Sequence, residues 1–190
     1  MAATADLLER SGDEDAVSIR AIADAVGVSP PSIYLHFPDK TALLFAVCQA
    51  RFLQLDQVME AAAELAADPV DEIIRRGAAY IRFGLDHPEQ YRILFMAREE
   101  PTGFSEEHLA DASAFDHMVE AVTRAMRAGL IADGDPVVVT IGLWAAVHGI
   151  TSLLIAKPDF PWPPVDELMD HIFGVYAAGL GAEYASTAGL

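Results

Sequence analysis

The stretch Ser18 to Lys40, SIRAIADAVGVSPPSIYLHFPDK, reads as two short helices joined by a tight turn. By the 3.6-residue period, Ile19, Ile22, Ala23 and Val26 share one face of the first helix, and Ile33 with Phe37 one face of the second. Two such faces can pack together. Gly27 sits where the chain must reverse, and glycine reaches the left-handed backbone there without steric cost. Ser18 is placed to cap the first helix and Ser29 the second, with Pro30 suited to its first position. A recognition helix from Ser29 to Phe37 is therefore expected, with its free amide groups turned outward in the way that suits phosphate. Ile33 and Phe37 belong to the core. Pro31, Ser32, Leu35 and His36, with Tyr34 beside them, offer small, apolar and hydrogen-bonding groups of the kind that meet base edges in a major groove.

The rest of the chain keeps the helical period. The only β-branched cluster, Val137 to Thr140, lies inside a longer helical pattern, so the expected class is all-α with about nine or ten helices. A short helix is expected over 2–11. Asp39 caps a long helix with Leu43, Leu44, Val47, Phe52, Leu55 and Met59 in one stripe. Beyond Pro69, an element carrying Ile73, Ile74, Gly77, Ala78, Ile81 and Leu85 runs to the His87-Pro88 break, and a short helix follows from Glu89 to Ala97. Arg98 to Ser105 reads as a loop. Helices then run from Glu106 to Gly129, Val137 to Ala156 and Val165 to Leu180, the last behind a stiff connector holding Pro158, Pro161, Pro163 and Pro164. The implied layout is a three-helix helix-turn-helix module over 1–45, joined by the long helix to a C-terminal helical bundle over 46–190.

With 190 residues and 53% apolar content, the chain can bury a continuous core. Its longest apolar run, Val137 to Ala156, contains Gly142, His148 and Gly149 and reads as a buried helix rather than a membrane span. Met1 to Ser11 has no basic region followed by an apolar one, so the expected compartment is the cytoplasm. Cys48 is the only cysteine, which excludes an internal disulfide and a zinc site of paired thiolates. The 29 acidic and 12 basic residues give a net charge of −17, which opposes a polyanionic partner unless the positive groups are concentrated. In the first 50 residues, Arg10, Arg20 and Lys40 stand against Asp6, Glu9, Asp13, Glu14, Asp15, Asp24 and Asp39.

Four segments carry a family resemblance: Ala21-Ile22-Ala23, Gly27-Val28-Ser29, Ser32-Ile33-Tyr34-Leu35-His36-Phe37 and Lys40-Thr41-Ala42-Leu43-Leu44. Together they resemble the consensus of the tetracycline-repressor (TetR) family of bacterial regulators. The resemblance implies that Arg20 reaches the groove from the first helix of the motif, that Ser32, Leu35 and His36 face the groove, and that Tyr34 and Lys40 contact phosphate. It also implies a basic arm and a longer first helix, whereas this chain opens at Met1-Ala2-Ala3-Thr4-Ala5. Two expectations follow: a start upstream of Met1, or weak DNA binding.

Further along, Trp144-Ala145-Ala146-Val147-His148-Gly149 resembles the Trp-x-x-x-His-Gly signature of one C-terminal subclass, and Tyr80 to Met96 resembles the same subclass. Tyr80, Phe83, Tyr91, Phe95, Phe115, Met118, Trp144 and His148 exceed what a minimal helical core requires. They are expected to line an apolar effector cavity, with His148 as its best polar anchor; the alternative is simple core packing. His108 and His117 share one helix with Glu106, Glu107, Asp111 and Asp116, but the histidines are nine residues apart and do not meet on adjacent turns of one face. No metal site and no cofactor are expected, and no catalytic constellation stands out, so the chain is not read as an enzyme.

These readings converge on a ligand-responsive repressor that binds a near-palindromic double-stranded DNA operator and is released by a small, apolar or partly apolar effector. The alternative is a helical small-molecule-binding protein of the same ancestry with weak or lost DNA binding. A homodimer is expected through 137–156 and 165–180, because Leu168, Ile172, Phe173, Val175, Tyr176 and Leu180 exceed one stripe. Gly142, Ala145, Ala146, Gly149, Ala177 and Gly179 would let these helices approach closely. No membrane partner is expected.

Overall fold

Residues 18–95 and 113–181 are described by the structure, a computed structural model. Among them are eight helices and no strand: α1 (Ile19–Val26), α2 (Pro30–Tyr34), α3 (Lys40–Ala63), α4 (Pro69–Asp86), α5 (Pro88–Phe95), α6 (Ser113–Arg127), α7 (Pro136–Ala156) and α8 (Val165–Leu180). The expected helix over 2–11, the loop over 98–105 and the helix start at Glu106 lie outside the described residues. The chain divides into two compact units, Met1–Gln54 with Asp86–Ala112, and Leu55–Leu85 with Ser113–Leu190.

In the first unit, the Ser18 hydroxyl accepts from the Ala21 amide at 3.1 Å and starts α1. The helix ends at Gly27, whose φ of 72° and ψ of 30° are left-handed. The Val28 amide reaches back to the Ala23 carbonyl at 2.9 Å, and the Gly27 amide to that of Asp24 at 3.3 Å, which satisfies two carbonyls the helix leaves open. Ile19, Ile22 and Ala23 are buried, with Ile33 of α2 and Leu43 of α3. Val26, expected on the same face, is exposed instead, because the chain leaves the helix axis there.

The recognition helix is shorter than expected: α2 spans only Pro30–Tyr34, and Leu35 and His36 form a turn. Pro38 disfavours helical backbone at Phe37, so helix and turn close together with His36 and Phe37 amides both on the Ile33 carbonyl at 3.0 Å. Asp39 then caps α3, accepting from the Ala42 amide at 2.7 Å. Phe52 of α3 meets Phe95 of α5 edge to face at 5.6 Å, and Phe95 tilts against Tyr91 at 4.9 Å.

In the second unit, Asp68 caps α4 through the Val70 and Asp71 amides, and Asp135 caps α7 through the Val137 amide at 2.9 Å. Ile73 of α4, Ala121, Val122 and Ala125 of α6, and Ile131 form an apolar cluster, packed around by Val70, Met118, Met126, Val139, Leu143 and Leu180. Burying the Ile73, Val122 and Ile131 side chains is worth about 1.5–3 kcal/mol each. Arg76, only 3% exposed, sits beside this core. It donates to Glu60 at 2.6 Å and to Glu72 at 3.0 Å, while Arg124 donates to Glu72 at 2.6 Å, so α3, α4 and α6 share one ionic lattice. Burial works to raise the Glu72 pKa, but hydrogen bonds from Arg124 and Arg76 prevail and hold it below the ordinary carboxylate value.

α7 differs from the buried helix expected. Thr140, Val147, Ile150, Thr151, Leu154 and Ile155 are buried, whereas Val137, Val138, Ile141, Trp144 and Leu153 are exposed. Apolar residues on every side of the helix mask which face is covered. By length and composition α7 alone among the described helices could cross a membrane, despite its glycines and His148. Its buried face instead packs within the second unit.

A Cβ on Gly27 would meet no atom within 4 Å, so Gly27→Ala carries only the cost of the left-handed backbone. The expected loss is about 1–2 kcal/mol, and less for Gly27→Asn. Urea unfolding at fixed protein concentration checks it; an unchanged midpoint for Gly27→Ala would show that the turn is not held in this conformation.

Candidate functional site

The residues expected to face DNA lie on α1, α2, the residues flanking α2 and the first position of α3. Arg20, Ser29, Pro31 and His36 are exposed, Ser32 and Lys40 half-buried. Tyr34 is 52% and Leu35 83% exposed, while Ile33 between them is buried. The core thus takes one face of α2 and leaves the aromatic hydroxyl, the leucine and the imidazole in solvent.

The expectation of free amides at the start of α2 is corrected. Pro30 and Pro31 carry no N–H, and the Ser32 amide is bound to the Ser29 carbonyl at 2.9 Å. The Ser29 hydroxyl makes no capping bond and pairs with the Ser32 hydroxyl at 2.8 Å. Any affinity of the start of α2 for phosphate therefore rests on side chains. Between Ser18 and Gln54 the basic residues are Arg20, Lys40 and Arg51 and the acidic ones Asp24 and Asp39, an excess of one positive charge. Asp39 is already engaged as a helix cap. The acidic excess of the first 50 residues lies ahead of Ser18, in Asp6, Glu9, Asp13, Glu14 and Asp15.

Of the expected effector residues, the second unit joins three through hydrogen bonds. The Trp144 indole donates to the Tyr80 hydroxyl at 3.3 Å, and that hydroxyl lies 3.2 Å from His148 Nδ1. His148 Nε2 lies 3.3 Å from the Ser152 hydroxyl, and the Trp144 and His148 rings are 5.9 Å apart. Ser152 was not expected; its place four residues after His148 on a helix was the available signal. Phe83 is buried and Phe115 half-buried in the same unit, and Met118 packs against the apolar cluster. Tyr91 and Phe95 belong to the first unit, with Phe52. Burial pushes the His148 imidazole below the ordinary histidine value.

The second unit also carries an uncovered apolar face. Val138, Ile141, Trp144, Ala145 and Leu153 of α7 are exposed, as are Gly174, Val175 and Ala178 of α8. A Cβ on Gly142, Gly149, Gly174 or Gly179 would meet nothing within 4 Å.

Residues 1–47 match the family described as bacterial regulatory proteins, tetR family, and residues 73–176 match the tetracyclin repressor-like C-terminal domain. Among solved structures, a protein of unknown function from Rhodococcus sp. RHA1 is 30% identical with a TM-score of 0.83, over 95% of this chain and 92% of that one. PfmR, a TetR family transcriptional regulator from Thermus thermophilus, is 19% identical with a TM-score of 0.70, over 94% and 97% of the two chains. The fatty acid degradation regulator FadR from Bacillus halodurans is 14% identical with a TM-score of 0.77, over 94% and 96%. The last two establish likeness of fold alone. No curated protein matches the chain significantly.

His148 makes stability depend on pH with a definite sign. A base whose pKa is depressed by folding is protonated first in the unfolded chain, so stability is full above the ordinary histidine value and falls as the pH drops below it. Replacing His148 by Gln is expected to remove this part of the loss between about pH 7.5 and about pH 5.5. Urea midpoints at the two pH values measure it, and equal losses in both proteins would assign the dependence elsewhere.

Proposed function

The chain belongs to the tetracycline-repressor family of ligand-responsive, DNA-binding transcriptional regulators, and from that premise we propose that it is a repressor released from its operator by a small molecule. The observation that carries this reading is the helix-turn-helix face on which Tyr34, Leu35 and His36 are exposed while Ile33 and Ile22 are buried. Residues 1–45 serve as the DNA-binding domain and 46–190 as the domain for effector and dimer contact. Ser32, Leu35 and His36 read base edges, with Arg20, Ser29 and Pro31 at the margin of the contact, and Tyr34 and Lys40 hold phosphate.

The effector in this reading is apolar or partly apolar, bound in the C-terminal domain by the second unit's Tyr80, Phe83, Phe115, Met118, Trp144 and His148. The linked side chains of Tyr80, His148 and Ser152 offer it a polar anchor. α3 carries the chain from the first unit into the second, so it is the covalent route by which an effector can act on the recognition helix. Two protomers meet through 137–156 and 165–180. An apolar face this broad is unfavourable in water, and its open glycines admit a closely approaching helix; such a contact buries more than about 1,000 Å². The two-fold axis gives a near-palindromic operator its second half-site. The cytoplasm is the compartment where such a regulator meets its DNA.

Tyr34→Phe and Lys40→Ala are expected to weaken binding to all DNA sequences alike, and Lys40→Ala to reduce the salt slope by about one. Ser32→Ala and His36→Ala are expected to change operator preference instead. Fluorescence anisotropy at several salt concentrations separates the two patterns. No DNA binding by the unmodified chain would favour a small-molecule-binding protein that has lost the operator.

Val175→Glu, at a position 56% exposed in the single chain, leaves the fold of one protomer unburdened and is expected to dissociate the dimer. Analytical ultracentrifugation checks it. A stable monomer for the unmodified protein at micromolar concentration would overturn both the dimer and the two-half-site operator.

A further inference from the structure

In the second unit, Asp56 and Glu60 lie one helical turn apart on α3, and His117 of α6 meets both of them. His117 Nδ1 is 3.2 Å from Asp56 Oδ1 and 2.7 Å from Glu60 Oε1. One potential ligand atom from each of the three residues falls within 4.8 Å of the others. A single imidazole nitrogen bracketed by carboxylates from two residues is an arrangement in which a divalent ion can replace the proton between them.

We propose that Asp56, Glu60 and His117 form a binding site for a first-row divalent transition ion, with Zn²⁺ and Co²⁺ as the representative occupants. One imidazole nitrogen and two carboxylate oxygens are the donors such borderline ions accept, whereas Mg²⁺ and Ca²⁺ favour sets made of oxygen alone. With bonds of about 2.0–2.2 Å, ligand atoms around a tetrahedral ion lie roughly 3.3–3.5 Å apart. His117 and Asp56 are already near that separation, Glu60 has to withdraw from His117 by roughly 0.6–0.8 Å, and the Asp56 and Glu60 oxygens, within 4.8 Å of each other, settle to the same spacing around the ion. The side chains differ in a way that suits this movement: Asp56 is 14% exposed and held, while Glu60 at 39% and His117 at 37% are open to the ion and to the water that completes its shell.

Arg76 also donates to Glu60 Oε1, which places a cation beside the site. Its charge is divided between Glu60 and Glu72, and because Oε1 of Glu60 also faces His117, a bound ion and the guanidinium would share this carboxylate, with its second oxygen available to one of them. Arg76 thereby acts as a positioning residue for Glu60. The ion would fasten α3 to α6 within the unit, which neither helix could achieve alone since each supplies too few ligands.

The test titrates the full chain with CoCl₂ and follows the visible absorption of the bound ion, then repeats it with Zn²⁺ as competitor and Mg²⁺ as control. Expected are saturation at about one Co²⁺ per chain, displacement by Zn²⁺, and a Zn²⁺-dependent rise in Tm that Mg²⁺ does not give. His117→Ala and the isosteric Asp56→Asn should each weaken Co²⁺ binding by about tenfold or more. Circular dichroism confirms that both variants retain their helices, and Asp56→Asn serves alone if His117→Ala does not fold. Absence of saturable Co²⁺ binding, or binding by the folded variants equal to that of the parent, overturns the proposal.

Discussion

The constraint on which the second unit is built is the burial of a group that cannot be neutralised. Arg76 is almost wholly removed from water, and a guanidinium keeps its charge at any pH a protein survives. Its surroundings must therefore supply anions, and they do so from two directions, Glu60 on α3 and Glu72 one turn away on α4. Desolvation works against the charged guanidinium, and the two carboxylates outweigh it, so the Arg76 pKa lies above its ordinary value. Breaking such a buried pair by removing one partner typically costs about 3–5 kcal/mol, more than loss of a single cap or surface pair. Glu72 then needs Arg124 of α6 to balance it, and three helices are brought into fixed register by one charge.

That register shapes everything built on it. α6 meets α4 through the Ile73 and Ala121 to Ala125 cluster, whose small residues at 121 and 125 allow close approach, and the same helix presents His117 to Asp56 and Glu60. Gly77, one residue after Arg76, is where a Cβ would stand 3.1 Å from the Phe173 ring, so α4 has no spare room against α8. Tyr80, one turn after Arg76, reaches His148 and Trp144 of α7. The polar chain that could anchor an effector is thus held by a helix whose position is set by ions a turn away.

Much of this was legible in the sequence where the signal is local. Ser18, Asp39 and Gly27 each act on backbone groups within five residues, so a cap or a left-handed turn can be read from the residue and its position alone. The bounds of α7 and α8 followed from proline and glycine for the same reason. The burial of Arg76 was not legible, since an arginine four residues after Glu72 looks like any solvated i,i+4 pair until its second partner, Glu60, 16 residues away, is known. His117 was weighed against His108 on its own helix, whereas its partners lie 61 and 57 residues earlier on α3. α7 failed differently: with apolar residues on every side, periodicity cannot tell a covered face from an open one. Pro30 and Pro31 mark in the sequence itself a helix start without two of its N–H groups, whereas the bond from the Ser32 amide to the Ser29 carbonyl depends on the folded turn.

Two successive prolines at the start of the recognition helix alter how the protein senses its medium. Each cation that neutralises a DNA phosphate releases a counterion, and the logarithm of affinity falls with the logarithm of salt by about 0.9 for every such contact. With no amides to offer from Pro30 and Pro31, the start of α2 leaves phosphate contact to side chains. Between Ser18 and Gln54 the full positive charges are Arg20, Lys40 and Arg51. On the proposed reading, the fewer of these cations reach phosphate, the more operator occupancy follows the match to base edges and the less it changes with the cell's ionic strength.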